Sequence, residues 1–236
     1  MEITSEQPLW EGSLNARWVL PGLIRSANLS FLTPAGRTQL LASGLSRIID
    51  LRNRAERKID PAPFAGTPSY VNLPLLPTGH QALDRAFQAA ETNGSYYRAI
   101  LEHSASHVVT ILGAMHDAPP GSILVHCHVG KDRTGLLVAL ILELAGVRRS
   151  VIAADYAETD QHVQEVYAAM LARQVDPQKR LQLGAFLMSQ EEDILNALDY
   201  LDRTWGGTAP YLEAFGLTRE EQQRLITRLI EQPGRR

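Results

Sequence analysis

Hydrophobic and polar positions change rhythm several times along the chain, and each change marks an element. Thr33-Pro34 opens an apolar-periodic run that ends at Gly44. A capping threonine, a proline in the first turn and a terminal glycine together predict a helix. Arg47–Leu51 (RIIDL) is a short β-branched run that predicts a buried strand, and Tyr70–Leu73 predicts another, stopped by Pro74. His80–Thr92 and Tyr96–His116 predict helices, the second placing Tyr97, Ile100, Leu101, Val108, Ile111, Leu112 and Met115 near one face. After the turn Pro119-Pro120-Gly121, Ser122–His126 (SILVH) predicts a second buried strand. A glycine-containing loop then leads into a very apolar helix from about Arg133 to Gly146, and Ser150 opens a helix that extends toward Gln174. Ser189 and Thr218 each stand three residues before a glutamate (Glu192, Glu221), the capping-box spacing, so two more helices close the chain with Gly206-Gly207 between them.

Short buried strands alternating with helices predict an α/β layer fold around a central, mostly parallel sheet flanked by helices. The 236 residues suit a single domain, 1–236, and neither an internal repeat nor a long linker divides it. Such sheets hold ligands at the carboxyl ends of their strands. That rule directs attention to the residues after RIIDL and after SILVH.

Composition narrows the chemistry. A formal net charge of −3 leaves no electrostatic footprint for nucleic acid. The longest apolar stretch, Leu136–Leu142, stops at Glu143, well short of the roughly 20 residues a bilayer crossing needs. The opening MEITSEQPLWEGS has acids where a signal peptide carries a basic region and an apolar run, so the expected location is cytoplasmic, with export by a route without a cleaved signal left open. A lone cysteine, Cys127, excludes an intrachain disulfide and a multi-cysteine zinc cage. His103 and His107 are spaced as a metal pair on a helix, but no third ligand accompanies them and they read as surface histidines. No cofactor is expected.

The loop after SILVH concentrates chemistry in His126-Cys127-His128-Val129-Gly130-Lys131-Asp132-Arg133-Thr134-Gly135. A strand delivers a cysteine to a tight loop that turns at once into a helix. Amides of such a loop converge on an anion, and the helix N-terminus adds partial positive charge that also favours a thiolate. Arg133 offers a planar fork for two phosphate oxygens, and the Thr134 hydroxyl is placed to steady the sulfur. Nucleophile, anion cradle and charge clamp are the parts phosphoryl transfer requires.

This string resembles the H-C-x5-R-[ST]-G signature of the cysteine-dependent protein tyrosine phosphatase superfamily, and its G-K-D-R-T-G ending resembles the atypical, mostly bacterial tyrosine and dual-specificity members. Flanking matches fall in the same order: Leu23-Ile24-Arg25-Ser26-Ala27-Asn28-Leu29 with Leu32-Thr33-Pro34-Ala35-Gly36, Ile49-Asp50-Leu51-Arg52 with Glu56-Arg57, Ala154-Asp155-Tyr156 with Thr159, and Tyr211 with Gly216-Leu217-Thr218. Asn15-Ala16-Arg17 keeps only part of the subgroup's N-terminal pattern, so no catalytic role is assigned there.

The resemblance implies a phosphatase fold and a two-step hydrolysis of phosphotyrosine, with dual specificity or phosphoinositides as alternative substrates. Cys127 is the implied nucleophile. Loop amides from His128 through Val129, Gly130, Lys131 and Asp132 to Arg133 hold phosphate, and His126 orients the cysteine with its ring bonded to backbone. Asp132 is the candidate general acid, against a purely structural pairing with Lys131 or an arginine, and Asp84 is the second candidate. Lys131 and His128 accept extra phosphates or, for Lys131, form a solvated rim charge. Asp50 and Arg52 at the end of the first strand are read two ways: Arg52 touches the ligand, or the pair supports the loop. Arg54, Arg57 and Lys58 follow as a cluster able to steer a phosphorylated ligand. Asp155-Tyr156 is expected to brace the loop. Sulfur transfer on a rhodanese-type cradle and a non-catalytic phospho-binding role are the competing readings; the Arg-Thr-Gly ending argues against the first, and the joint presence of Cys127 and Arg133 against the second.

Overall fold

The strands β1 (Arg17–Leu20), β2 (Leu23–Ser26), β3 (Leu45–Asp50), β4 (Tyr70–Asn72) and β5 (Ser122–His126) form a sheet of order β1-β2-β5-β3-β4. The computed structural model describes residues 9–231; residues 1–8, on which part of the leader reading falls, lie outside them. β1 and β2 are antiparallel, and β2, β5, β3 and β4 run parallel. The expected α/β class with a mostly parallel sheet is therefore the observed one.

Successive strand residues face opposite sides, so the sheet serves two cores. Leu23, Ile49, Ile123 and Val125 enter the larger one, and Ile24, Ile48 and Leu124 enter a smaller one closed by Trp10, Leu29, Leu40 and Phe64. Helix α1 (Pro34–Ala42) supplies Leu40 and starts as expected, with the Thr33 hydroxyl accepting from Gly36 N. Short helix α2 (Arg54–Ile59) carries a capping box in which Asn53 and Glu56 satisfy each other's backbone N–H groups. After β4 come α3 (Gln81–Ala89), α4 (Asn93–His103) and α5 (Ala105–His116). The helix expected over Tyr96–His116 is thus two helices, broken at Ser104 (φ −123°, ψ 15°). The bend lets α4 pack on a later helix, α10 (Glu191–Trp205), while α5 packs on α12 (Arg219–Ile230).

Helix α6 (Asp132–Leu144) follows β5, and Leu136 through Leu142 are all buried. It is apolar on every side because neighbouring helices and the sheet enclose it. The helix expected from Ser150 toward Gln174 is also two: α7 (Arg149–His162) and α8 (Gln164–Arg173). Val163 breaks them and packs with Tyr167 and Leu187 in a small separate core. Leu187 ends α9 (Pro177–Leu187), capped by Asp176. Ser189 does not form the expected cap of α10 (Glu191–Trp205): Gln190 occupies the cap position, and the Ser189 N–H instead donates to the Asp160 carboxylate at 3.0 Å. Gly206 ends α10 in the left-handed region (φ 77°), and α11 (Thr208–Ala214) follows. Thr218 does form its capping box with Glu221 at the start of α12 (Arg219–Ile230).

Candidate active site

The parallel register aligns three strand ends. His126 at the end of β5 pairs with Ser26 of β2 on one side and Asp50 of β3 on the other. The chain between His126 and α6 therefore emerges at the carboxyl edge of the sheet.

Three carbonyls of that loop are pulled outward. His128 O accepts from Asn28 N at 2.8 Å, Val129 O from Asn15 Nδ2 at 3.0 Å, and Gly130 O from Arg25 Nη2 at 2.7 Å. In a planar trans peptide the N–H points opposite to the C=O. Holding these carbonyls against their partners thus turns the amides of Val129, Gly130 and Lys131 away from those braces. Gly130 has φ 75°, and a Cβ there would stand 2.5 Å from Ser26 O, so only glycine lets the loop lie this close to β2.

Two of these outward braces share one anchor. Asp155 on α7 accepts from Arg17 Nε at 2.8 Å and from Arg25 Nη1, while Arg17 Nη1 also donates to Asn15 Oδ1. Burial raises the cost of the Asp155 charge, but Arg25 and Arg17 outweigh it and hold the carboxyl below its ordinary range. Burial, with Arg25 nearby, brings the Arg17 guanidinium down to about 10. Asp155 braces the loop as expected. Asn15, Arg17 and Arg25 are the braces that sequence reasoning missed; their signal was polar residues in and before strands too apolar-facing to leave them solvated.

Cys127 is buried at the mouth of this cradle. His126 Nδ1 lies 3.2 Å from Cys127 O, and Nε2 lies 3.9 Å from Asp50 Oδ2. The ring therefore sits against backbone, and burial pushes its ionisation below the ordinary histidine value although Asp50 opposes this. Thr134 Oγ1 is buried without a hydrogen-bond partner among the described residues, so the expected hydroxyl–sulfur bond is not formed.

Asp50 and Arg52 are both fully buried. Arg52 Nη2 and Nε donate to Asp50 at 2.8 and 3.0 Å, and Nη1 donates to Asp60 O at 3.0 Å. Tyr70 OH adds a bond to Asp50 Oδ2 at 2.8 Å. Burial disfavours the Asp50 charge, yet the Arg52 hydrogen bonds and the His126 ring keep the carboxyl below its usual range. Arg52 has no free face for a ligand. Of its two readings the structure forms the supporting pair.

Arg133 behaves differently. Its Nη1 and Nη2 donate to Glu56 Oε2 and Oε1 at 2.7 and 2.6 Å, and it retains 12% side-chain exposure. Burial opposes the charge on Arg133, but Cys127 and Glu56 together hold it protonated. Glu56, from the capping box of α2, is a fourth residue that sequence reasoning left without a role.

Asp132 opens α6. Tyr97 OH donates to its Oδ1 at 2.7 Å, and Tyr97 and Tyr156 share a hydroxyl–hydroxyl bond of 2.5 Å. Lys131 Nζ stands 3.4 Å from the same Oδ1. Both contacts fall on one oxygen, which leaves Oδ2 turned away from them. Lys131 is only 2% exposed, and its ammonium donates to Phe186 O in the last turn of α9. It is neither a solvated rim charge nor a free cation for extra phosphate. His128 is exposed. Asp84, on α3, lines a neighbouring groove with Arg54 and Lys58. Tyr96 stands between: its ring stacks on Phe87 at 4.2 Å, and burial, then the charges of Asp132 and Cys127, push its ionisation up.

A braced loop with three anchored carbonyls, a buried thiol at its start and a partly exposed arginine at its end thus lie together at the carboxyl edge of the sheet. A family profile described as the tyrosine phosphatase family matches residues 13–231. The chain belongs to the tyrosine phosphatase family. It is 30% identical to a tyrosine-protein phosphatase of Nostoc commune over 87% of this chain and 73% of that protein. It is 26% identical to the triple specificity protein phosphatase PtpB of Mycobacterium tuberculosis over 87% of this chain and 90% of that one. Among solved structures, P. aeruginosa TpbA overlaps with a TM-score of 0.43 and 18% identity over 89% of this chain and 99% of that chain, too loosely to bear on the site.

Proposed function

We propose that the protein hydrolyses phosphotyrosine, with dual specificity as an extension, through a phosphocysteine at Cys127. The observation that supports this reading is the set of braced carbonyls at His128, Val129 and Gly130, which turns the next three amides away from the braces and leaves them free for an anion. A phosphoryl group seated there meets those amides and the uncommitted N–H groups of Arg133. The Cys127 thiolate attacks phosphorus, the bond from phosphorus to the tyrosyl oxygen breaks, and the Asp132 carboxyl gives that oxygen its proton. Water then attacks the phosphocysteine, its proton passes to Asp132, and phosphate leaves with the thiolate restored. Asp132 is preferred to Asp84 because it begins the helix that the loop enters, and one of its oxygens is already held by Tyr97.

Phosphate release from matched phosphotyrosine and phosphoserine peptides and from phosphoinositides tests this, with Cys127→Ser as the blank. The expected result is turnover of phosphotyrosine that Cys127→Ser abolishes. Turnover confined to phosphoinositides would replace the substrate, and tight binding without turnover would make the chain a binding module. Asp132→Ala is expected to lower turnover roughly 10²–10⁴-fold on phenyl phosphate and less on substrates with acidic leaving groups. An equal loss on all of them would make Asp132 structural.

A further inference from the structure

We propose that the groove between α2 and α3 receives the polypeptide stretch flanking the phosphorylated residue, and that Arg54 and Lys58 select an acidic side chain there. The inference rests on the phosphatase reading of the adjacent cradle. The groove has a volume of about 570 Å³, with Arg54 and Lys58 on one wall and Leu83, Asp84 and Phe87 on the other. Arg54 and Lys58 are one helical turn apart, so they share a face of α2. Glu56 lies between them in sequence and turns instead to Arg133. One short helix thus presents one edge to the cradle and another to the groove.

Charge complementarity names the occupant. Arg17, Arg25, Arg52, Arg133 and Arg149 all have carboxylate partners, whereas Arg54 and Lys58 are exposed and have none among the described residues. Asp84 forms no ion pair across the groove with either. Two unpaired cations against the single carboxylate of Asp84 leave this concave surface net positive on a chain whose net charge is −3, and its Arg54–Lys58 wall attracts a carboxylate. The opposite wall carries Asp84 but is otherwise apolar, with Leu83 and Phe87, and the Phe87 ring stacks on Tyr96, whose hydroxyl feels the charges of Asp132 and Cys127. A polypeptide supplies both an acid for the first wall and an apolar side chain for the second. An inositol polyphosphate gains nothing from Leu83 and Phe87.

The test compares phosphotyrosine peptides identical except for glutamate, alanine or lysine at the flanking positions, each variant being normalised to its own rate on p-nitrophenyl phosphate. For the unsubstituted enzyme kcat/KM is expected to fall from glutamate through alanine to lysine, by about tenfold across the series. Added salt should compress the series, because exposed charges are screened. The double variant Arg54→Glu, Lys58→Glu should reverse the order. Equal rates whatever the flank, a preference that survives the double variant, or one insensitive to salt would each overturn the proposal. So would a soluble inositol phosphate whose turnover depends on Arg54 and Lys58 while the peptides' does not. Failure to release phosphate from p-nitrophenyl phosphate and from every peptide would instead sink the phosphatase reading.

Discussion

Two arginine–carboxylate pairs flank the same loop and do opposite things. In Arg52–Asp50 both side chains have zero exposure, and all three guanidinium nitrogens are committed, two to Asp50 and one to Asp60 O. In Arg133–Glu56 the exposures are 12% and 29%, and only the two terminal nitrogens hold the carboxylate. A guanidinium carries five N–H donors, so a bidentate contact leaves donors to spare. Arg52, bonded at every nitrogen and without exposed surface, holds backbone; Arg133, with Nε outside its carboxylate contact and some exposure, is the one that the proposed mechanism gives a second anion. Burial and donor count, not the pairing itself, separate scaffold from chemistry here.

Removing each arginine should separate the two roles most sharply. Arg133→Ala is expected to lower kcat on p-nitrophenyl phosphate by at least ~10³-fold, because the charge clamp on the transferring phosphoryl group is lost. Its effect on unfolding should be small. Arg52→Ala leaves the Asp50 carboxylate buried and uncompensated, and is expected to cost about 3–5 kcal/mol of stability. Folded Arg52→Ala protein should retain much more activity than Arg133→Ala. Urea unfolding beside turnover per folded molecule checks this, and the reverse ordering would break the distinction.

Acid extends the comparison to the whole buried network. His126 has its folded value pushed below the ordinary 6.5, so as pH falls below that the unfolded chain takes up a proton that the folded chain refuses. Stability is therefore expected to begin falling below pH 6.5. Asp50 and Asp155 are held below their ordinary 3.8, and Glu56 below its ordinary 4.5. The stability they contribute is fully present above those ordinary values and is lost as pH falls through their lower folded ones. Urea unfolding at a series of pH values checks both steps. Asp155→Asn should flatten the lower step far more than Glu56→Gln, whose pair is partly open to solvent. A curve level from neutral pH to below 4.5 would contradict the assignment.

The sequence reading was strongest where one residue's chemistry sufficed and weakest where partners meet across the fold. RIIDL and SILVH appear as β3 and β5, and the Cys127-to-Arg133 string is the loop between β5 and α6 together with the first two residues of α6. Strand residues β1 and β2 escaped notice because Arg17 and Arg25 interrupt their apolar pattern, and those interruptions are the braces of the loop. Lys131 looked like a free cation because nothing local marks Phe186 O, 55 positions away, as its acceptor. Glu56 stood in view only beside Arg57 in a flanking match, because its bond to Arg133 spans 77 positions. The helix breaks at Ser104 and Val163 are set by packing against other helices, which periodicity along one segment does not encode.

The finest distinction lies within Asp132 itself. Tyr97 is fully buried, and its hydroxyl links Asp132 Oδ1 to the Tyr156 hydroxyl. Burial first, and then the Asp132 charge, keep the Tyr97 phenol protonated far above the ordinary tyrosine range, so it remains a donor at every working pH. Under the proposed mechanism this bond, by fixing Oδ1, orients Oδ2 and makes Tyr97 a positioning residue for proton delivery. Tyr97→Phe keeps the ring and removes one hydroxyl, at a stability cost of about 1 kcal/mol. Its kcat on phenyl phosphate is expected to fall about tenfold, a modest misplacement effect. On p-nitrophenyl phosphate, whose leaving group needs little help from an acid, the fall should be under about twofold. A merely structural tyrosine would lower both rates alike, and that result would confine Tyr97 to the core.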